Sequence, residues 1–180
     1  MTSALAPLRR LRAGIIPYSR NENGKIVFLF GKEIFGKWSP FAGRVEPGED
    51  LKIAAAREFV EEIMGFFSEI EIVNRIVDKN KLVIGTKTSI SHLYLIPVSY
   101  DPNLPNYFIN ITNFFLRCTG GKKNEWGIPI LDGCQDGYFE KSEIDWFTLE
   151  EIRRMSMEQR KEYFGTSCNK VLNALITRRW

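Results

Sequence analysis

A single mixed β-sheet flanked by helices, an α/β or α+β sandwich spanning residues 1–180, is the fold the sequence predicts. Three observations lead there. Two apolar, β-rich runs, "AGIIPYSR" (13–20) and "KIVFLFGK" (25–32), are separated by "NENG", and Asn23-Gly24 is a strong hairpin signal. The apolar period then changes to helical from Asp50 to Ile63. Further strand-like runs and two helix-start signatures follow, with neither an internal repeat nor a linker between them.

The elements follow in order. "FGKWSPFAG" (35–43) carries glycine and proline that should break any regular element. Asp50 is placed to cap a helix whose apolar face is Leu51, Ala54, Ala55, Phe59 and Ile63. "SEIEIVNRIVD" (68–78) alternates, with Ile70, Ile72 and Ile76 on one side, and reads as a strand; "KLVIGTKTS" and "SHLYLIPVSY" read as two more. Residues 101–137 form an insertion in which "DPNLPNYFINITNFFLRC" holds a helix with Phe108, Ile111 and Phe115 inward. "TGGKKNEWGIPILDGCQDG" then reads as a long loop, of a length that often has a function. "YFEKSEIDWF" is a last strand. Thr148 with Glu151, and Ser156 with Gln159, make capping boxes for helices that occupy the chain's end, closing with "NKVLNALITRRW".

Bulk properties exclude some classes. Hydrophobic residues make up 44% and charged residues 26%, as in ordinary globular proteins, and no apolar run approaches the roughly 18 residues that span a membrane. Residues 1–12 form a basic N-terminal arm with Arg9, Arg10 and Arg12. Cys118, Cys134 and Cys168 are odd in number and lack ligand spacing. They read as reduced, mostly packed thiols of a cytoplasmic protein. His92 is the lone histidine and sits in a strand-like run, so histidine triads and zinc sites have little to draw on. The net charge of +3 hides an asymmetry: residues 43–65 hold six acids and three bases, leaving 16 acids, 22 bases and a charge of +6 elsewhere. An acidic focus in a basic chain suits a cation-dependent site that receives an anionic substrate.

The focus has internal order. At 100° per residue, Glu58, Glu61 and Glu62 share an arc of roughly 100°, where like charges weaken a helix unless something neutralises them. Hard divalent cations do so, Mg²⁺ preferring oxygen ligands and keeping waters that a phosphate can replace. Glu49 precedes the helix within reach of Arg57, and "VEPGED" supplies a proline-glycine turn. A plain surface helix rich in glutamate would share the spacing of the three acids. It would not require the rest. Gly43, five residues, Glu49, seven residues, then Arg57-Glu58-Phe59-Val60-Glu61-Glu62 resembles the Nudix box of the Nudix hydrolases. The likeness covers about residues 13–100 and 138–155.

That resemblance implies an α/β/α Nudix sandwich with a mixed central sheet and a Mg²⁺- or Mn²⁺-dependent pyrophosphohydrolase acting on nucleoside diphosphates linked to another moiety. It implies that Glu58, Glu61 and Glu62 bind the metals, with the carbonyl of Ala42 as a further ligand, and that Arg57 and Glu49 hold and polarise them. A water held between metals would attack phosphorus while the cations offset charge on the leaving phosphate. Family members often add a glutamate base before a tryptophan-containing strand end, and here Glu140 and Glu143 are the candidates, with Asp145 third. The chain departs from the family at the helix end, where Met64 stands in place of glycine and Gly65 follows. That should lengthen the helix or alter its exit without touching the metal face.

For the substrate, Lys32, Lys37, Arg44, Lys122 and Lys123 are placed to meet phosphates, and the N-terminal arginines to meet RNA. Trp38, Phe41, Trp126 and Tyr138 are candidates to stack on a base or cap. Core packing competes for Trp38 and Phe41, which leaves Trp126, in a glycine- and lysine-rich loop, the better stacking candidate. "EKSEIDWF" resembles the strand entry of the mRNA-decapping branch, so capped RNA joins nucleotides as a substrate. The alternatives are a hydrolase of diphosphoinositol polyphosphates, with lysines rather than aromatics at its pocket, and a catalytically inactive binding module of the same fold.

Overall fold

The expected hairpin is the first element of the computed structural model, which describes residues 9–125, 127–133 and 137–180, apart from the side chain of Ser167. Strand β1 (Arg10–Arg20) takes in Arg10 and Arg12 of the basic arm and pairs antiparallel with β2 (Ile26–Glu33) through Tyr18↔Phe28 and Arg20↔Ile26. The two strands diverge from there. The chain fills the fork with β3 (Trp38–Ser39), paired to β2, and β4 (Phe41–Arg44), paired to β1. Pro40, which has no N–H to leave unpaired, marks the switch between them. The stretch expected to be irregular therefore holds two short strands, made by the fork rather than by local propensity.

The sheet is completed by β5 (Lys81–Gly85), β6 (Ser89–Pro97) and β7 (Lys141–Thr148). The order is β3-β2-β1-β6-β5, with β4 also on β1 and β7 on β2; β1–β6 is parallel and the other described pairings are antiparallel. Helices α1 (Leu51–Glu62), α2 (Glu69–Arg75) and α3 (Leu104–Cys118) cover one face, over Ala13, Ile15, Leu29, Tyr94 and Ile144. Helices α4 (Leu149–Arg154) and α5 (Met157–Thr177) cover the other, over Ile16, Phe28, Phe30, Leu93 and Leu95. Alternating strand positions thus feed two cores, and the predicted sandwich stands. Both capping boxes form as expected. Helix α5 is broken at Gly165, where φ is 73° and ψ 162°. Among the described residues no helix is long and apolar enough to cross a membrane.

Two expectations give way. Residues 69–75 form a helix, not a strand. Ile72 and Ile76 are buried four positions apart while Ile70 is 76% exposed, so the apolar spacing that mattered was helical. In α3, Leu104, Phe108 and Thr112 turn inward and Phe115 packs beside them, but Ile111 faces outward. Of the thiols, Cys168 is buried and Cys118 exposed, while Cys134 lies outside the described residues.

The exit of α1 shows what Met64 does. The helix is not lengthened. Met64 donates its N–H to the Glu61 carbonyl and Gly65 to the Val60 carbonyl, a Schellman closure in which Met64 holds the left-handed position at φ 57°. A side chain there costs about 1–2 kcal/mol. The Met64 side chain is buried in the core, and its sulfur accepts the Thr112 hydroxyl of α3 at 3.2 Å, so it ties the helix exit to α3. Burying such a side chain is worth about 1.5–3 kcal/mol, and a cavity adds to the loss. Met64→Gly should therefore lower stability by about 1 kcal/mol, read as a lower urea midpoint, although it restores the residue that left-handed backbone prefers. A higher midpoint would show that strain outweighs packing.

Candidate active site

Asp50 caps α1 by accepting from the N–H groups of Lys52 and Ile53. Ala54, Ala55, Phe59 and Ile63 then seat the helix on the sheet and direct Glu58, Glu61 and Glu62 along the flank beside β4. Arg57 answers the crowding of like charges. Its Nε and Nη2 hold both oxygens of Glu49 at 2.8 and 3.1 Å, and its Nη1 donates to Glu58 at 3.0 Å and Glu61 at 3.2 Å. Its last N–H goes to the Arg44 carbonyl at 3.1 Å, so all five guanidinium donors are engaged. The Glu49 carboxylate also accepts the Glu46 N–H.

This arrangement sets the electrostatics. The bond from Arg57 holds the Glu49 carboxyl below its usual range, and Glu49 in turn holds the Arg57 guanidinium above its own. Burial pushes Glu58 up and pushes Glu61 up to about 7, in both cases against the pull of Arg57. Gly43 is required by close approach. A Cβ there would lie 1.7 Å from Glu58 Oε2, so only glycine lets that carboxylate rest against β4.

Glu62 lies deepest. Its Oε2 accepts the Ala42 N–H at 2.9 Å and its Oε1 faces Lys141 Nζ at 3.3 Å. Lys141, at the start of β7, is 1% exposed and also donates to Glu33 at 2.5 Å and Ser39 at 2.8 Å. Burial works against its charge, yet Glu62 and Glu33 outweigh burial and hold its pKa above the usual value. Sequence reading missed this residue, and no local signal marks a lysine that meets partners more than 75 positions away. It also assigned Arg12 to an arm. Arg12 instead donates to the Ala42 carbonyl at 2.5 Å, close enough to Glu58 to pull its pKa down.

The remaining candidates divide. Glu140 stands near the carboxylates, since its charge raises the pKa of Glu58, Glu61 and Glu62. Glu143 pairs with Lys32 at 2.8 Å, and Asp145 accepts the Trp146 N–H. Trp38 is buried against Phe147 under α5, while Phe41 is buried against Phe59 under α1, so neither is open for stacking. Lys37 is tied to the Glu162 carbonyl, Lys122 pairs with Asp132 at 2.5 Å, and the Arg44 side chain is exposed. Trp126 lies outside the described residues.

Among the described residues no three Asp, Glu, His or Cys side chains are gathered tightly enough to hold a metal ion as they stand. Arg57 and Lys141 draw the carboxylates instead. The donor set still suits a hard divalent cation, being oxygen only, with Glu58 and Glu61 already meeting at one positively charged nitrogen.

Comparison with known proteins bears on the family and the fold. The NUDIX domain family profile matches residues 8–115. The Ap4A hydrolase of C. elegans aligns over 93% of this chain and 99% of its own at 18% identity and a TM-score of 0.51. The NUDIX domain of Shewanella oneidensis NrtR, solved with ADP ribose, aligns over 92% and 85% at 11% identity and 0.52. A MutT protein of Methanosarcina mazei Go1 aligns over 96% of both chains at 18% and 0.51. No curated relative matches the chain in sequence. The chain belongs to the Nudix family. It is a hydrolase acting on pyrophosphate bonds.

Proposed function

We propose that the chain is a Mg²⁺- or Mn²⁺-dependent pyrophosphohydrolase of nucleoside diphosphates linked to a second moiety, capped RNA ends included. The observation that carries this is the Arg57 network, in which four of the five guanidinium donors gather Glu49, Glu58 and Glu61 and the fifth ties them to the Arg44 carbonyl. Glu58, Glu61 and Glu62, with the Ala42 carbonyl, would hold the cation. When bound, it would supply Lewis acidity toward phosphoryl oxygens and make a coordinated water more acidic. Glu49 acts through Arg57, fixing the guanidinium that orients the carboxylates. Glu140, near those carboxylates, takes the proton of the attacking water. Arg12, exposed at the Ala42 carbonyl, faces the incoming phosphates.

Support for a nucleoside comes from a cavity of about 280 Å³ that shares Arg12 and Ala42 with this site. Its walls include Ile84, Leu93 and Val171 with the hydroxyls of Ser89 and Ser91, and none of its lining residues is lysine. A lining that mixes these apolar walls with the hydroxyls of Ser39, Thr86, Ser89 and Ser91, and holds Arg12 as its one cation among the described residues, suits a base and ribose better than a polyphosphorylated inositol, which calls for several cations. The Ap4A hydrolase and the ADP-ribose complex among the structural neighbours point the same way. A panel of dinucleoside polyphosphates, ADP-ribose, capped RNA and inositol pyrophosphates tests the reading. Nucleotide anhydrides should be cleaved with Mg²⁺ or Mn²⁺ and not with EDTA. Preferred cleavage of inositol pyrophosphates would overturn the substrate class, and no turnover of any would leave a binding module.

A further inference from the structure

A lysine at the first residue of a strand ordinarily reaches for solvent. Lys141 does the reverse, running inward until its ammonium is enclosed, and its stem takes the space that Gly31 leaves: a Cβ at Gly31 would stand 2.8 Å from its Cγ and Cδ. A buried charge persists only when it is paired and hydrogen-bonded. Here the ammonium donates to Glu33 Oε1 at 2.5 Å and to Ser39 Oγ at 2.8 Å, and it forms an ion pair with Glu62 Oε1 at 3.3 Å. The two short contacts anchor the ammonium to β2 and β3. The long one reaches α1.

Two carboxylates share this one cation. Glu33 takes the closer contact, at 2.5 Å, and Glu62 the longer one, at 3.3 Å. The other oxygen of Glu62 is fixed by the Ala42 N–H, beside the carbonyl that belongs to the same cluster. Glu62 is thus held from two sides, by the Ala42 amide and by the Lys141 ammonium.

We propose that Lys141 is a positioning residue for Glu62: anchored by Glu33 and Ser39, it fixes the Glu62 carboxylate at the Ala42 amide in the orientation from which it serves the divalent cation. This rests on the metal-dependent reading above, and partners that orient a metal ligand typically govern affinity by about 10–100-fold.

The test is Mn²⁺ binding by calorimetry to the whole chain, with thermal melts to establish folding. Lys141→Met keeps the stem beside Gly31 and removes the charge, and should weaken Mn²⁺ by at least about 10-fold. Glu62→Gln should weaken it as well. The double variant should be no weaker than Glu62→Gln alone, because the route through Glu62 is already cut. A general structural defect would instead add to the loss. Folded Lys141→Met with wild-type affinity, or losses that multiply in the double variant, would overturn the assignment. If Lys141→Met does not fold, Glu33→Gln, at the half-exposed end of the clamp, should still weaken binding, and unchanged affinity there would overturn it. A wild-type chain that binds no Mn²⁺ brings down the metal reading and this inference together; a wild-type chain that binds while Lys141→Met binds equally brings down this inference alone.

Discussion

Glu61→Gln is expected to lower kcat by about 10²–10³-fold at saturating Mg²⁺ while leaving the melting temperature of the metal-free chain unchanged or higher. The first half follows from charge. A divalent cation is worth several kcal/mol to the transition state, and at 1.36 kcal/mol per decade the loss of one anionic ligand removes two to three decades. The second half follows from burial. Glu61 is buried on the flank of α1, and burial pushes its carboxyl up to about 7, so ionising it near neutral pH gains the fold nothing. Glutamine has the same shape and still offers an oxygen to Arg57 Nη1, which lies 3.2 Å away in the native chain. Arg57 keeps Glu49 and Glu58 besides. The melting-temperature rise on adding Mg²⁺ should shrink along with kcat, since a ligand that binds only the folded state stabilises it in proportion to its affinity. Native kcat with native Mg²⁺ stabilisation would remove Glu61 from the metal site.

How much of this was legible in the sequence follows from the distance over which each feature is decided. The hairpin at Asn23-Gly24, the Asp50 cap and the two capping boxes are settled within a few residues, and all of them form. The Glu49–Arg57 pair is settled across one turn and two helical turns, eight residues apart, and spacing alone pointed to it. The failures lie elsewhere. Trp38–Ser39 and Phe41–Arg44 are strands only because β1 and β2 splay apart and leave unpaired edges to fill. The segment from Glu69 to Arg75 satisfied both a two-residue and a four-residue apolar spacing, and packing under the sheet chose the second through Ile72 and Ile76. Lys141 gathers Glu33, Ser39 and Glu62 from three separate elements, so nothing near it in the chain announces its role.

That division also explains why a helix with three crowded glutamates persists. Arg57 neutralises the exposed side of the cluster from within the motif, and Lys141 neutralises the buried side from the far end of the chain. Each draws carboxylates that a bound divalent cation would share. Like charges at this spacing weaken an isolated helix, but here two fixed cations and the apolar seat under Phe59 outweigh the repulsion.

The fixed geometry makes Gly43→Ala the second large expected effect, and one that separates the site from the fold. A methyl group at Gly43 would lie 1.7 Å from Glu58 Oε2, 2.1 Å from its Cδ and 2.4 Å from Oε1, all well inside contact distance. The atoms met belong to the far end of a flexible side chain, not to backbone, so the overlap is relieved by turning Glu58 out rather than by moving β4. Gly43 pairs with Ala13 in β1 through backbone that alanine also provides, and alanine is no worse than glycine in a strand. The fold should therefore survive, with the melting temperature within about 3 °C of native, a change of about 1 kcal/mol. Activity should not survive. Glu58 leaves its place beside Arg57, where the two are 3.0 Å apart, and kcat should fall by about 10²-fold or more, as for loss of a ligand outright. Adding Glu58→Gln to Gly43→Ala should then cost little more, because the carboxylate it removes has already been displaced. Near-native kcat in Gly43→Ala would mean that Glu58 does not work from the position in which β4 holds it.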